Sequence, residues 1–375
     1  MPKFTQSPVK RLPHRAAISA PVFLPPLGGP LDKLAQLATR PLETPAPAVV
    51  EDALLMSPKA KFADKANFGK RARVKFLSEA MAVGLANVPD SKLTRSYWNT
   101  FYCSSILQKR GDKLTTKFCK NRWCLVCCRV RSAQLMKQYL PVLESWPDKH
   151  LVTLTLPNCS RADLVATMEQ MKAGFNRIRR TIQQQCQRKQ RATPLIALRK
   201  LESTHNPDQD NYHPHFHLVV PDLATANELR ESWLIQFPSA KWNGQDVRPA
   251  NAGAAHELFK YFTKLITSQS KERFIRLEPL NAIFEAIAGQ RTFQAFNIPK
   301  TKPVDGDEEL DALAEQLADE LEIDAVFEWQ QAQADWVNKE TGEMLTNYTP
   351  SPEWRNFVET KMVYNSPQKK HLLMP

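Results

Sequence analysis

Residues 194–220 read PLIALRKLESTHNPDQDNYHPHFHLVV: two apolar or β-branched runs on either side of the hexapeptide NPDQDN. Asn and Asp make turns through hydrogen bonds to their own backbone, and Pro pre-sets φ. The stretch therefore predicts a hairpin in which 194–204 returns as 212–220. Side chains alternate between faces along a strand. His213, His215 and His217 thus share one face, and Phe216, Leu218 and Val220 share the other. The apolar set can bury against helices while the imidazoles stand close enough to share a metal ion. A hairpin symmetric about its turn sets Glu202 opposite His215, where its carboxylate would complete a His-His-carboxylate set with open positions. A slip of one residue would instead turn Glu202 to the other face. Packing histidines and a surface carboxylate are the plainer alternatives.

Working outward, HLVTLTL (150–156) is a second strand candidate. Residues 161–190 predict a helix whose stripe of Met168, Met171, Phe175, Ile178 and Ile182 is core, with Arg177, Arg179, Arg180, Arg188 and Lys189 on or near the other face. Further helices are expected near 224–236 and 253–268. In AAHELFKYFTKLIT (254–267), Leu258, Phe259, Phe262, Leu265 and Ile266 form the core stripe. Glu257, Tyr261 and Lys264 stand at i, i+4 and i+7 on a different face. Taken alone, that trio fits a core-facing tyrosine flanked by an ion pair.

Four of the seven cysteines crowd into residues 119–128. Cys103, Cys119, Cys124 and Cys127 give C-x15-C-x4-C-x2-C ahead of a helical pattern, a spacing suited to a closed tetrahedral Zn²⁺ site. Cys128 adjoins Cys127 and can stand in for it, and Cys103 is the outlying member. Cys159 and Cys186 read as plain buried thiols. Lys117, Lys120, Arg122, Arg129 and Arg131 surround the cluster and are candidates for phosphate contacts, although a zinc that only holds the fold is the simpler role.

LVTLTLPN, then RKLEST with HPHFHLVV, then ELFKYFTK resemble, in that order, the three motifs of the HUH endonucleases. The nearest likeness is to replication initiators of bacterial rolling-circle plasmids, in the branch with an upstream cysteine cluster like CKNRWCLVC. It covers about residues 100–295, including LNAIFEAIAGQRTF. The Leu-Val spacer departs from the proline that often opens it in that branch. The resemblance implies that His215 and His217 hold Mg²⁺ or Mn²⁺ with Glu202 as third ligand. It implies Tyr261 as nucleophile, Lys264 as its helper, and Glu257 as the group that assists terminating cleavage. It also implies a substrate of single-stranded or hairpin origin DNA, with a host helicase and polymerase as partners. A single tyrosine in the motif, with Leu265 four residues on, places the likeness in the one-tyrosine class.

The chain of 375 residues carries a net charge of +12. Between Lys302 and Lys339 there are twelve acids and no Lys or Arg, which leaves 27 of the 39 acids to face all 51 basic residues elsewhere. A body that basic favours a polyanion such as nucleic acid. No run of eighteen apolar residues appears, and prolines break the basic N-terminus, so neither a membrane span nor a secretory signal is expected. Thiols clustered without such a signal fit a reducing cytosol, and the resemblance implies a bacterial cytoplasm.

The expected fold is α+β: a central antiparallel sheet with helices on one face, as in the HUH nuclease palm, plus a small zinc module. Residues 1–58 hold eleven of the 28 prolines and read as a disordered basic arm. Helical and zinc-binding segments fill 59–140, the nuclease domain 141–300, and an acidic helical region 301–375. Within the last, the acidic window from 307 to about 337, with LDALAEQLADELEIDAVFEWQQAQADWV, is read as helix, either a partner surface or a solvated face. Two other readings remain: a single-strand transposase or mobilisation relaxase with the same chemistry, and a zinc-dependent DNA-binding regulator without nuclease activity.

Overall fold

The two strands of the histidine hairpin are β4 (Ala197–Asn206) and β5 (Asn211–Val220), paired antiparallel with Glu202 opposite His215 and Asn206 opposite Asn211. The computed structural model describes residues 65–111, 113–250, 258–259, 276–298, 323–352 and 355. The proline-rich arm, the acid-rich stretch up to 322, and Glu257, Tyr261 and Lys264 lie outside the described residues. At the hairpin turn, Asn206 Oδ1 accepts the Asp208 N–H at 3.0 Å, and Asp210 takes a left-handed φ of 45°, which a short polar side chain tolerates.

β3 (His150–Thr155) flanks β5, with Thr153 opposite His217 and Thr155 opposite His215. The edges are β6 (Asp246–Pro249), beside β3, and β7 (Phe293–Phe296), beside β4. The sheet order is β6-β3-β5-β4-β7, antiparallel throughout. Phe216, Leu218 and Val220 join Val152, Leu154 and Leu201 on one face. Over it pack α4 (Leu164–Gln187), α5 (Leu223–Gln236) and α6 (Leu277–Ile287). The Met168–Ile182 stripe of α4 lies in this core as its spacing predicts. Gly174 leaves room for Phe237, whose ring would stand 2.2 Å from any Cβ placed there. Arg199 is also buried on this face, its guanidinium 4.4 Å from the Phe216 centroid and 4.5 Å from that of Phe175, with Gln294 accepting a hydrogen bond.

Helices cover both faces, not one. α3 (Leu125–Glu144) contributes Leu135, Met136, Tyr139 and Leu143 to a cluster with Leu151, Leu198 and Val219, on the histidine side of the sheet. Leu258 and Phe259 are buried in the same cluster. The reason lies in the strands: the histidine face turns apolar at its Val219 end and needs a cover there.

A second sheet, order β2-β1-β8-β9, is built from β1 (Ile106–Arg110), β2 (Lys113–Thr116), β8 (Ala325–Gln330) and β9 (Asp335–Asn338). α1 (Lys65–Ala86) and α2 (Thr94–Phe101) pack on it through Phe76, Ala80 and Trp98 against Leu107, Phe327, Trp329 and Trp336. The helix expected from 307 to about 337 is therefore corrected over 325–330 and from 335 on, where the chain forms strands. Phe327 and Trp329 alternate inward from β8, and pairing with β1 some two hundred residues upstream overrides the helical preference of the Ala, Glu and Gln around them. Among the described residues no helix is long and apolar enough to cross a membrane.

Candidate metal centres

On the histidine face, Glu202, His215 and His217 bring one ligand atom each within 4.8 Å of the others. The register supplies this: Glu202 and His215 are directly opposite, and His217 follows two residues along β5. Glu202 Oε2 lies 3.5 Å from His215 Nε2 and 3.4 Å from His217 Nε2. The other nitrogen of each ring is engaged. His215 Nδ1 is 2.9 Å from the His213 carbonyl, and His217 Nδ1 is 3.2 Å from Thr153 Oγ1. A carbonyl accepts only from N–H, so His215 carries a proton on Nδ1, which leaves Nε2, facing Glu202, as the atom that would bind a metal. Octahedral Mg²⁺ with bonds of about 2.1 Å has ligand edges of about 3 Å, so the two separations from Glu202 Oε2 are about half an ångström wider than such an ion sets.

Lys200, opposite His217 and buried, sets Nζ 2.5 Å from Glu202 Oε1. Burial works against the Glu202 charge, but hydrogen bonds from His215 and His217 and the Lys200 ammonium overcome it and hold the carboxyl well below the usual carboxylate range. Glu202 is thus an anion ready to accept a cation. His213 shares the face without joining the trio. Its Nδ1 lies 2.7 Å from Asn158 Oδ1, its ring stacks on that of His215 at 5.3 Å, and burial beside two other imidazoles keeps it below its ordinary value. The sequence reading assigned no role to Lys200, Thr153 or Asn158. The first two stand at strand positions in phase with Glu202 and His217, so the two-residue period could have found them.

Cys103, Cys119, Cys124 and Cys127 form the second cluster, their sulfurs all within 4.8 Å of one another. Cys103 and Cys127 sulfurs are 3.6 Å apart, and those of Cys119 and Cys127 3.7 Å. A tetrahedron with Zn–S bonds of about 2.3 Å has edges of about 3.8 Å, so the thiols fit that ion. Cys124 caps the N-terminus of α3, where its sulfur accepts the Cys127 N–H at 3.5 Å. The Cys119 N–H points at Cys103 sulfur at 3.3 Å. Burial opposes the Cys124 thiolate, yet hydrogen bonds from Cys103, Cys119 and Cys127 take the thiol below its ordinary value. Cys128 turns away: its S–H donates to the Arg122 carbonyl at 2.8 Å, and burial pushes its thiol up to about 12. Cys159 and Cys186 are half-buried, not buried as expected, and none of the seven cysteines is in a disulfide.

Of the five basic residues beside the cluster, Arg131 and Arg122 bond to backbone and side-chain oxygens of the protein itself. Arg131 is buried and donates to the carbonyls of Asn121 and Lys120, and Arg122 donates to Thr292 Oγ1 at 3.0 Å. They brace the cysteine loop and the start of β7, while Lys117 is exposed.

Residues 112–222 match the family described as Replication protein, a span that holds three of the four clustered cysteines, the hairpin and all three histidines. The chain is 28% identical to "Protein rep" of Bacillus sp over 131 residues, 32% of this chain and 41% of that protein. It is 29% identical to "Protein rep" of Staphylococcus aureus over 132 residues (32% and 54%) and to that of Streptococcus pneumoniae serotype 2 over 109 residues (28% and 32%). The chain thus spans about a third to a half of the length of these relatives. No solved structure matches. The similarity is to replication proteins, and the family match covers the Glu202, His215 and His217 trio and three of the four clustered cysteines.

Proposed function

We propose that the protein initiates rolling-circle replication of a bacterial plasmid by nicking single-stranded or hairpin origin DNA, as a nuclease of the HUH class. The observation that carries the reading is the convergence of Glu202, His215 and His217 on one face of a β-hairpin. A divalent ion such as Mg²⁺ or Mn²⁺ held there would polarise the scissile phosphate and stabilise the charge that develops on it. Two further facts support the reading: the basic body of the chain and the similarity of residues 112–222 to replication proteins. Leu258 and Phe259, which precede Tyr261 in the chain, are buried with Val219 on the histidine side of the sheet.

In this reading the Tyr261 oxygen attacks phosphorus, the bond to the 3′ oxygen breaks, and that oxygen takes up a proton. The products are a 5′-phosphotyrosine link and a 3′-hydroxyl that a host polymerase extends behind a host helicase. A phenol with a pKa near 10 needs help to ionise, and Lys264 supplies a neighbouring positive charge. Glu257 takes a proton from water in the terminating cleavage. Lys200 keeps Glu202 oriented, and Thr153 and the His213 carbonyl orient the imidazoles. The four-cysteine cluster holds Zn²⁺ in a structural role, the nuclease occupies residues 141–300, and the protein works in the bacterial cytoplasm.

The test is incubation of the purified chain with a labelled single-stranded oligonucleotide containing the plasmid nick region and Mn²⁺. A covalent protein–DNA adduct, lost in Tyr261→Phe and in chelator, is expected. Binding without an adduct in the unsubstituted chain would instead mark a DNA-binding regulator.

A further inference from the structure

Thr155 ends β3 directly opposite His215, and its polar atoms tie the strand to two neighbours. Its N–H donates to Gln245 Oε1 at 2.8 Å and its hydroxyl to the Gly244 carbonyl at 3.1 Å, while its own carbonyl accepts the Trp233 indole N–H at 2.9 Å. Gln245 is buried, and its Nε2 donates to the Lys241 carbonyl at 2.9 Å. One amide therefore clamps both ends of the 3-10 turn Trp242–Gly244 to the strand that faces the histidines. On this braced turn Trp242 is 53% exposed, alone among the described tryptophans in being mostly outside the core. Arg230 of α5 lays its guanidinium 4.0 Å from the Trp242 ring centroid. Arg230 Nη2 donates to Asn227 Oδ1 at 2.9 Å, whereas its buried Nε has no hydrogen-bond partner.

A large ring left in water on a rigid support forgoes burial that a looser turn could have recovered. What it offers is a flat π surface with a fixed positive charge behind it. Lys241 is exposed on the same edge, as is Arg248, whose Nε lies 3.4 Å from Asp246 Oδ2; Lys241, unpaired among the described residues, and the charge behind the ring suit a polyanion better than an apolar protein face. We propose that Trp242, backed by Arg230, is a stacking platform for an unpaired base of the substrate strand. The proposal rests on the nuclease reading above and adds to it where the strand lies. Thr155, which holds the turn, is one strand spacing, about 5 Å, from His215, so the proposal puts the stacked base on the strand segment that leads to the trio. Stacking on an aromatic ring is tolerant of base identity, so the platform contributes affinity and positioning, not sequence choice.

Fluorescence anisotropy of the full chain with a fluorescein-labelled oligothymidylate tests this. Loss of one base–aromatic stack, about 1–2 kcal/mol, predicts that Trp242→Ala binds about five- to thirtyfold more weakly. The salt dependence should not change, because no charge is removed, and Trp242→Phe should retain most of the affinity. Binding to a duplex of the same length should be equal in all three. Unchanged oligothymidylate affinity in Trp242→Ala, with nicking intact, would overturn the platform and leave the nuclease standing. An unsubstituted chain with no affinity for single strands would remove both.

Discussion

At the scale of single residues, His217 shows how little of a metal site is its ligand atom. Its Nε2 faces Glu202 because Thr153, on the neighbouring strand, engages Nδ1 at 3.2 Å. Thr153→Val keeps the shape and removes that bond. Loss of such an outer partner typically weakens metal binding by about 10- to 100-fold, and Mn²⁺ titration calorimetry should read a loss of that size. The cysteine loop permits a similar contrast between neighbours. Cys127→Ser should lower the zinc content of the purified protein, by atomic emission, well below one ion per chain, while Cys128→Ser leaves it unchanged, since the Cys128 thiol is spent on the Arg122 carbonyl. At this scale the trio was legible in the sequence because strand period and turn symmetry are local rules, and both put Glu202 beside His215. The choice between Cys127 and Cys128 was not legible. It depends on which way α3 starts, and adjacent cysteines look alike in one dimension.

Elements bring in contacts that no local rule reports. Lys75 and Glu79 lie one turn apart on α1, fully buried, with Nζ 3.0 Å from Oε1. Lys75 also donates to the Phe101 carbonyl and Ser105 Oγ, and Glu79 accepts the indole N–H of Trp329 on β8 at 2.6 Å. The pair thereby joins α1 to the end of α2 and to the C-terminal hairpin. Glu79→Ala strands a buried ammonium, so urea unfolding should show a loss of about 3–5 kcal/mol. Replacing both partners with apolar residues of similar volume, Lys75→Met with Glu79→Leu, should recover most of it. The same contact explains why β8 was read as helix. Residues 325–338 carry helix-forming Ala, Glu and Gln, and the partners that make them a hairpin, β1 and Glu79, are more than two hundred positions away. The strands of the histidine sheet were visible because β3, β4 and β5 declare themselves by β-branched runs and a turn. The short edge strands β6 and β7 carry too few residues for a period to show.

For the whole molecule, the basic balance outside the acidic window sets the electrostatics of DNA binding. An interface that neutralises about four phosphates of a single strand should lose at least tenfold in affinity between about 50 and 200 mM salt. A salt-insensitive complex would contradict a phosphate-tracking mode. The helices on both sides of the sheet leave the imidazole end of the histidine face as the part not covered by α3, and that is where His217 and Glu202 remain partly exposed. The account stands or falls on those side chains gripping one ion. Electron spin-echo spectroscopy of Mn²⁺ added to the zinc-loaded chain tests this most directly. The expected result is one bound ion coupled to two imidazole nitrogens, with both couplings lost in His215→Ala/His217→Ala. A bound Mn²⁺ with no imidazole coupling, or with a spectrum unchanged by that double substitution, would contradict it.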